Sequence, residues 1–127
     1  MSKTLGIIGG SGLYDLPGVD VFKSHSIKTP WGIPSAPVIE CKYKDQSFFF
    51  LPRHGLDHSL SPSEVNYRAN VDAFKQLGVT DVLSLSSVGS LNENLSPGVF
   101  VIVDQYIDFT KNRISTFFED NIVVHVS

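Results

Sequence analysis

Three short apolar runs each end in a loop suited to holding an anion. Residues 5–8 run into Gly9-Gly10-Ser11-Gly12, residues 47–51 into Pro52-Arg53-His54-Gly55, and residues 81–85 into Ser86-Ser87-Val88-Gly89-Ser90. Apolar runs of this length, bounded by turn residues, are the pattern of buried strands. Between the second and third lies Ser61-Pro62-Ser63-Glu64, a helix-start signature with Ser61 as N-cap, Pro62 at the first helical position and Glu64 as the acid of a capping box. The helix is expected to continue to Leu77, burying Val65, Ala69, Phe74, Ala73 and Leu77, with Gly78 as its stop. Strands separated by a helix predict an α/β fold. Residues 38–42 and 47–51 flank Tyr43-Lys44-Asp45-Gln46 as a hairpin, so the central sheet is expected to be mixed. Residues 99–103 are expected to add another buried strand.

No repeat, low-complexity tract or linker divides residues 1–127, which read as one unit with no internal boundary. With 127 residues, 42% of them hydrophobic and 18% charged, the chain can bury a real core without a metal or disulfide staple. The one cysteine, Cys41, excludes a disulfide framework and any paired-cysteine metal site, which favours a reducing compartment, the cytoplasm. Residues 1–8 have neither the apolar length of a signal peptide nor that of a membrane span. A net charge of −3, without a Lys/Arg cluster interleaved with aromatics, argues against nucleic acid as a partner. Residues 122–126 are apolar and strand-like almost to the terminal Ser127, whereas domains usually end in a polar surface segment. The expectation is a chain that stops within its fold.

In α/β sheets ligands gather outside the carboxyl ends of strands, so the three loops could face one crevice. Glycines let backbone N–H groups converge on an anion, serine hydroxyls add donors, and the Arg53 guanidinium offers a fork suited to phosphate. Each loop alone is compatible with a plain tight turn or a surface pair; their recurrence at three strand ends is what points to an anion cradle. Other motifs fail. Gly10-Ser11-Gly12-Leu13-Tyr14-Asp15 places Asp where a dinucleotide fingerprint needs a small residue, no Walker loop is present, and no convincing helix leads to Glu40 as a ribose-binding acid. His54 and His58 would share a face only in a helix, which Gly55 and the later helix start oppose, so no metal site is expected. His25, in a polar stretch, reads as a solvated surface residue.

Along its whole length the sequence resembles the methylthioadenosine phosphorylase branch of the trimeric purine nucleoside phosphorylases. The matching stretches are Gly6-Ile7-Ile8-Gly9-Gly10-Ser11-Gly12-Leu13, Thr29-Pro30-Trp31-Gly32-Ile33-Pro34-Ser35, Pro52-Arg53-His54-Gly55, Val65-Asn66-Tyr67-Arg68-Ala69-Asn70, Val88-Gly89-Ser90-Leu91 and Asp104-Gln105-Tyr106-Ile107-Asp108. The resemblance implies the mixed central sheet of that fold and a phosphorolysis: inorganic phosphate attacks C1′ of a purine nucleoside, 5′-methylthioadenosine, releasing adenine and 5-methylthioribose 1-phosphate. It implies no metal or organic cofactor, and a homotrimer; the charge and the apolar lengths noted above add the expectation of no nucleic-acid and no membrane partner. Residue by residue, Ser11, Arg53 and His54 resemble phosphate ligands, and Ser86 with Ser87 the third phosphate loop. Val88 and Gly89 resemble a lining of the purine and ribose pocket, and His125 an edge of a neighbouring subunit's 5′-substituent pocket.

Members of that family are longer than this chain. Their further residues supply another phosphate-binding Thr, the Met under the ribose and the Asp that assists purine departure. Here no acid takes that last place, Asp104 and Asp108 reading as structural. The alternatives that stay open are a 6-oxopurine or methylthioinosine preference, and a truncated remnant with no catalysis of its own.

Overall fold

The computed structural model describes residues 3–10, 16–119 and 121–125. Five strands, β1 (Leu5–Gly9), β2 (Val19–His25), β3 (Val38–Tyr43), β4 (Gln46–Pro52) and β5 (Asp81–Ser84), form one sheet, with a single described helix, α1 (Tyr67–Gln76). The spatial order is β2-β3-β4-β1-β5. β2, β3 and β4 pair antiparallel, while β4 and β5 flank β1 in parallel. This is the α/β arrangement on a mixed sheet that the sequence predicts.

The β3–β4 hairpin closes with Tyr43 paired to Gln46, leaving Lys44-Asp45 as a two-residue loop. Lys44 takes a positive φ of 53°, the conformation that such a loop needs to follow the twist of its strands. Along these strands side chains alternate between faces. Val38, Leu51 and Phe49 meet Ala73 and Phe74 of α1 on one side; Ile39, Cys41, Phe48 and Phe50 cluster on the other.

Helix α1 connects β4 to β5, and between them lies β1. The helix approaches β1 at Gly6, where a Cβ would stand 2.9 Å from both the Phe74 ring and the Val79 side chain. No residue but glycine fits there without moving the helix. Ala69, Ala73 and Phe74 are buried as the apolar spacing requires, and Gly78, at φ 75°, ends the helix with its N–H on the Lys75 carbonyl.

The structure departs from the sequence reading in five places. The helix starts at Tyr67, capped by the Asn66 side chain accepting from the Ala69 N–H. The Ser61 N–H donates to the Glu64 carboxylate and the Glu64 N–H to the Ser61 backbone carbonyl, which closes an isolated turn rather than a capping box; Val65 turns inward and Asn66 supplies the helix cap. β2 was not foreseen; it is mostly exposed and its apolar alternation stops after Val21. β5 forms where expected but is exposed along its length as the edge of the sheet. Residues 99–103 form no strand, with Phe100 94% and Ile102 97% exposed; a strand's backbone bonds belong to a neighbour, and among the described residues none pairs with this run. The described part of the run at 122–126 likewise forms no strand, and Ile122, Val123 and Val124 are exposed.

Candidate functional site

β4, β1 and β5 are adjacent and parallel, so their carboxyl ends open on the same edge of the sheet. Backbone bonds continue past the strands: Arg53 N–H donates to the Gly9 carbonyl at 3.1 Å, and Leu85 N–H to the Ile8 carbonyl at 2.8 Å. The Arg53 side chain then spans the gap. Its Nη1 donates to the Leu85 carbonyl at 2.6 Å, so the loop after β4 holds the loop after β5 across the end of β1.

His54 fixes the other side of the guanidinium. Arg53 Nε donates to His54 Nε2 at 3.1 Å, and His54 Nδ1 stands 2.9 Å from the Leu60 carbonyl. An imidazole with its proton on Nδ1 satisfies both contacts, accepting from Arg53 and donating to Leu60. Gly55 N–H returns to the Pro52 carbonyl and Leu60 N–H to the His54 carbonyl, which closes residues 52–60 into a compact loop. Arg53 and His54 are each half-buried, an environment in which a charged fork keeps more of its strength than in open water. The guanidinium has N–H groups beyond these two bonds with which to receive an anion.

The structure thus brings Gly9, Arg53, His54 and the Leu85–Ser86 peptide together. Ser86 and Ser87 follow directly and are exposed. Ser11 lies outside the described residues. Val88 is 85% exposed, and no neighbour among the described residues lies within 4 Å of a Cβ built on Gly89. His125 is exposed near the end of the described chain. His54 and His58 are not on a helix, and among the described residues no group of three or more His, Cys, Asp or Glu could hold a metal ion.

His25 corrects the expectation of a solvated residue. Its Nε2 is 3.0 Å from Glu40 Oε2, its ring meets Phe49 edge-on at 5.8 Å, and its side chain is largely covered. The bulge between Val21 and Lys23 brings Lys23 opposite Glu40 and turns the end of β2 onto β3. Burial pushes the Cys41 thiol above its ordinary value, and the neighbouring Glu40 carboxylate adds to this. A buried thiol of that kind is inert. A separate cleft of about 480 Å³ lies between α1 and the 106–117 segment, lined by residues such as Tyr67, Arg68, Tyr106 and Phe117; it contains none of the strand-end residues.

Sequence reasoning missed the supports behind these loops. Asn70 is 1% exposed and binds Ser35 twice, its Oδ1 accepting from the Ser35 N–H at 2.8 Å and its Nδ2 donating to Ser35 Oγ at 3.0 Å. Asn66 Nδ2 donates to the Trp31 carbonyl at 2.7 Å, and Gln76 Nε2 to the Lys28 carbonyl at 3.1 Å. The available signal was an Asn directly beside Ala69 and between Val65 and Ala73, where a polar side chain requires a partner.

The comparisons with known proteins agree with this fold. The chain is 54% identical over 123 residues to an S-methyl-5′-thioadenosine phosphorylase of Bradyrhizobium diazoefficiens, covering 97% of this chain and 42% of that protein. To the enzyme of the same name from Hyperthermus butylicus it is 51% identical over 124 residues, covering 97% and 45%. Among solved structures, a methylthioadenosine phosphorylase from an antarctic soil metagenomic library superposes with a TM-score of 0.90 at 49% identity, over 99% of this chain and 44% of that one. Methylthioadenosine phosphorylase from Schistosoma mansoni in complex with adenine gives 0.85 at 43% identity, over 94% and 43%. The chain therefore spans less than half the length of the relatives it matches, and carries the corresponding part of their fold. A family model described as the phosphorylase superfamily matches residues 4–127, and the chain belongs to that superfamily.

Proposed function

We propose that this chain is the N-terminal half of a single phosphorylase domain, with no internal boundary, and supplies most of the phosphate site of a 5′-methylthioadenosine phosphorylase. The observation that carries this reading is the convergence of three parallel strand ends on one arginine, with Arg53 tied to both His54 and the Leu85 carbonyl. The relatives' names supply the substrate. Phosphate would be received by Arg53, His54, Ser86, Ser87 and Ser11, the last outside the described residues. His54 contributes through its grip on Arg53, and would offer phosphate a ring N–H only by exchanging one of its two contacts.

Phosphate held in this way beneath a ribose is both nucleophile and counter-charge. As the bond from C1′ to N9 of the purine lengthens, the sugar becomes oxocarbenium-like, and a fixed dianion below it stabilises the developing positive charge. Positioning removes the entropy cost of bringing phosphate to C1′. Val88 and Gly89 would border the purine and ribose, and His125 would reach a neighbouring subunit in a cytoplasmic homotrimer. No metal or organic cofactor enters this scheme, nor does a membrane or nucleic acid; among the described residues no helix is long and apolar enough to cross a membrane.

The test mixes this chain with a polypeptide corresponding to the remaining C-terminal part of a relative, such as the Bradyrhizobium protein. Phosphate-dependent release of adenine from 5′-methylthioadenosine, abolished by Arg53→Ala, is the expected result. Faster release of hypoxanthine from methylthioinosine would move the substrate to the 6-oxopurines, and release unaffected by Arg53→Ala would remove these loops from the phosphate site.

A further inference from the structure

We propose that Asn70 is a positioning residue for the Arg53–His54 loop, acting through Ser35. The inference rests on the phosphate reading of that loop and adds a residue to it. Asn70 is the one buried polar residue among those described, and both ends of its amide are used on the same partner, Ser35 N–H and Ser35 Oγ. Its two bonds hold Ser35 by the N–H and the hydroxyl oxygen, beside which stands the Ser35 carbonyl. That carbonyl oxygen faces Gly55, 3.6 Å from where a Cβ would stand, with Ser59 Oγ at 3.1 Å beside it.

Gly55 is the residue directly after His54 and holds a φ of 82°, a conformation that glycine adopts freely and other residues resist. Its N–H caps the Pro52 carbonyl, and the loop it anchors closes through His54 and Leu60. The path runs from helix to site: α1 holds Asn70, Asn70 holds Ser35, the Ser35 carbonyl borders the space beside Gly55, and Gly55 sets the turn that presents Arg53 and His54. Asn66 on Trp31 and Gln76 on Lys28 brace the same 28–35 segment at other points. A core helix with a purely apolar face would pack on the sheet equally well. It would leave residues 28–35 free to shift over the loop that carries the guanidinium.

Two substitutions separate positioning from stability. Asn70→Leu keeps the bulk and removes both bonds. Asn70→Asp keeps both, since one carboxylate oxygen accepts from Ser35 N–H and the Ser35 hydroxyl can turn to donate to the other, but it buries a charge and lowers stability. The expected result is phosphate binding weakened about fivefold to tenfold in Asn70→Leu, the scale of one or two net hydrogen bonds. Asn70→Asp should bind within about twofold of the parent although it melts earlier. In phosphate-free ¹⁵N spectra the His54 ring nitrogens, one donor and one acceptor in the parent, should shift in Asn70→Leu and stay in place in Asn70→Asp.

A site that follows melting temperature in both variants, or His54 resonances unmoved in a folded Asn70→Leu, overturns the proposal. Should Asn70→Leu not fold, Ser35→Ala removes one of the two bonds at a half-buried position and is expected to give an intermediate His54 shift; no shift there counts against the proposal. A parent chain without a saturable phosphate response would sink the phosphate reading instead, while the phosphate-free His54 spectra would still decide the role of Asn70.

Discussion

At the scale of single residues, Arg53 performs two tasks that can be separated. Its Nη1 bond to the Leu85 carbonyl is structural, joining β4 to β5 across the end of β1, whereas its remaining N–H groups face the proposed anion. Arg53→Ala removes both and should weaken phosphate binding by about 1.5–3 kcal/mol, the range for hydrogen bonds to a charged group. Arg53→Lys keeps the charge but cannot reach His54 and Leu85 as a fork while binding phosphate. Titration calorimetry with phosphate is expected to rank the affinities parent, Lys, Ala, and equal affinities for all three would leave Arg53 a strand tie only. The arginine and its adjoining histidine were legible in the sequence because loops of anion-binding composition recur after three apolar runs and match the family's motifs. Their mutual hydrogen bond was not, because which face each ring presents depends on Leu60 closing the loop from behind.

At the scale of elements, what was legible is what short-range chemistry decides. The β3–β4 hairpin follows from two apolar runs around Lys44-Asp45, and the buried face of α1 from the spacing of Ala69, Ala73 and Phe74. The helix start was misread because the Glu64 carboxylate does reach back to the Ser61 N–H, yet the Glu64 N–H meets the Ser61 backbone carbonyl and closes only one turn. β2 was overlooked because its apolar alternation, Val19-Asp20-Val21, is short and breaks at Phe22, and the strand is an exposed edge. Two outcomes follow at this level. Gly6→Ala should cost about 1–3 kcal/mol in denaturant unfolding, because its methyl would overlap Phe74 and Val79 where helix meets sheet; a change below about 0.5 kcal/mol would mean that the helix can move aside. The Ser61–Glu64 turn should also be pH-sensitive. Hydrogen bonds from Ser61 hold the Glu64 carboxyl below its ordinary value, so the turn is supported above the ordinary carboxylate range and loses that support as pH falls through the depressed value. The Ser61 amide resonance should follow that acid transition, and an amide indifferent to pH would show the contact absent in solution.

At the scale of the whole molecule, the ordered sheet and helix contrast with a long apolar stretch that folds against little. Phe100, Ile102, Tyr106, Ile107 and Phe109 are all largely exposed, and β5 offers an edge with no further strand beside it among the described residues. Contiguous apolar surface of this extent marks an interaction site or an aggregation liability. The chain covers 42% of the Bradyrhizobium relative, so the complementary part of that fold is a partner of the right origin to cover it. The chain alone should therefore bind an environment-sensitive dye such as ANS strongly, bind phosphate, and release no measurable adenine from 5′-methylthioadenosine. Phosphate supplies one side of the transition state, while departure of the purine needs a positioned acid at the ring, worth about 10²–10⁴-fold, and we propose that this acid comes from the complementary part of the fold. Adding the C-terminal polypeptide of the relative should quench the dye signal and protect the amides of residues 99–103 from hydrogen exchange, because that run then acquires a strand neighbour. Protection and turnover should rise together with the concentration of the added polypeptide. Turnover by the isolated chain would place the missing acid within residues 1–127, and protection without turnover would show that the two parts join without completing the site.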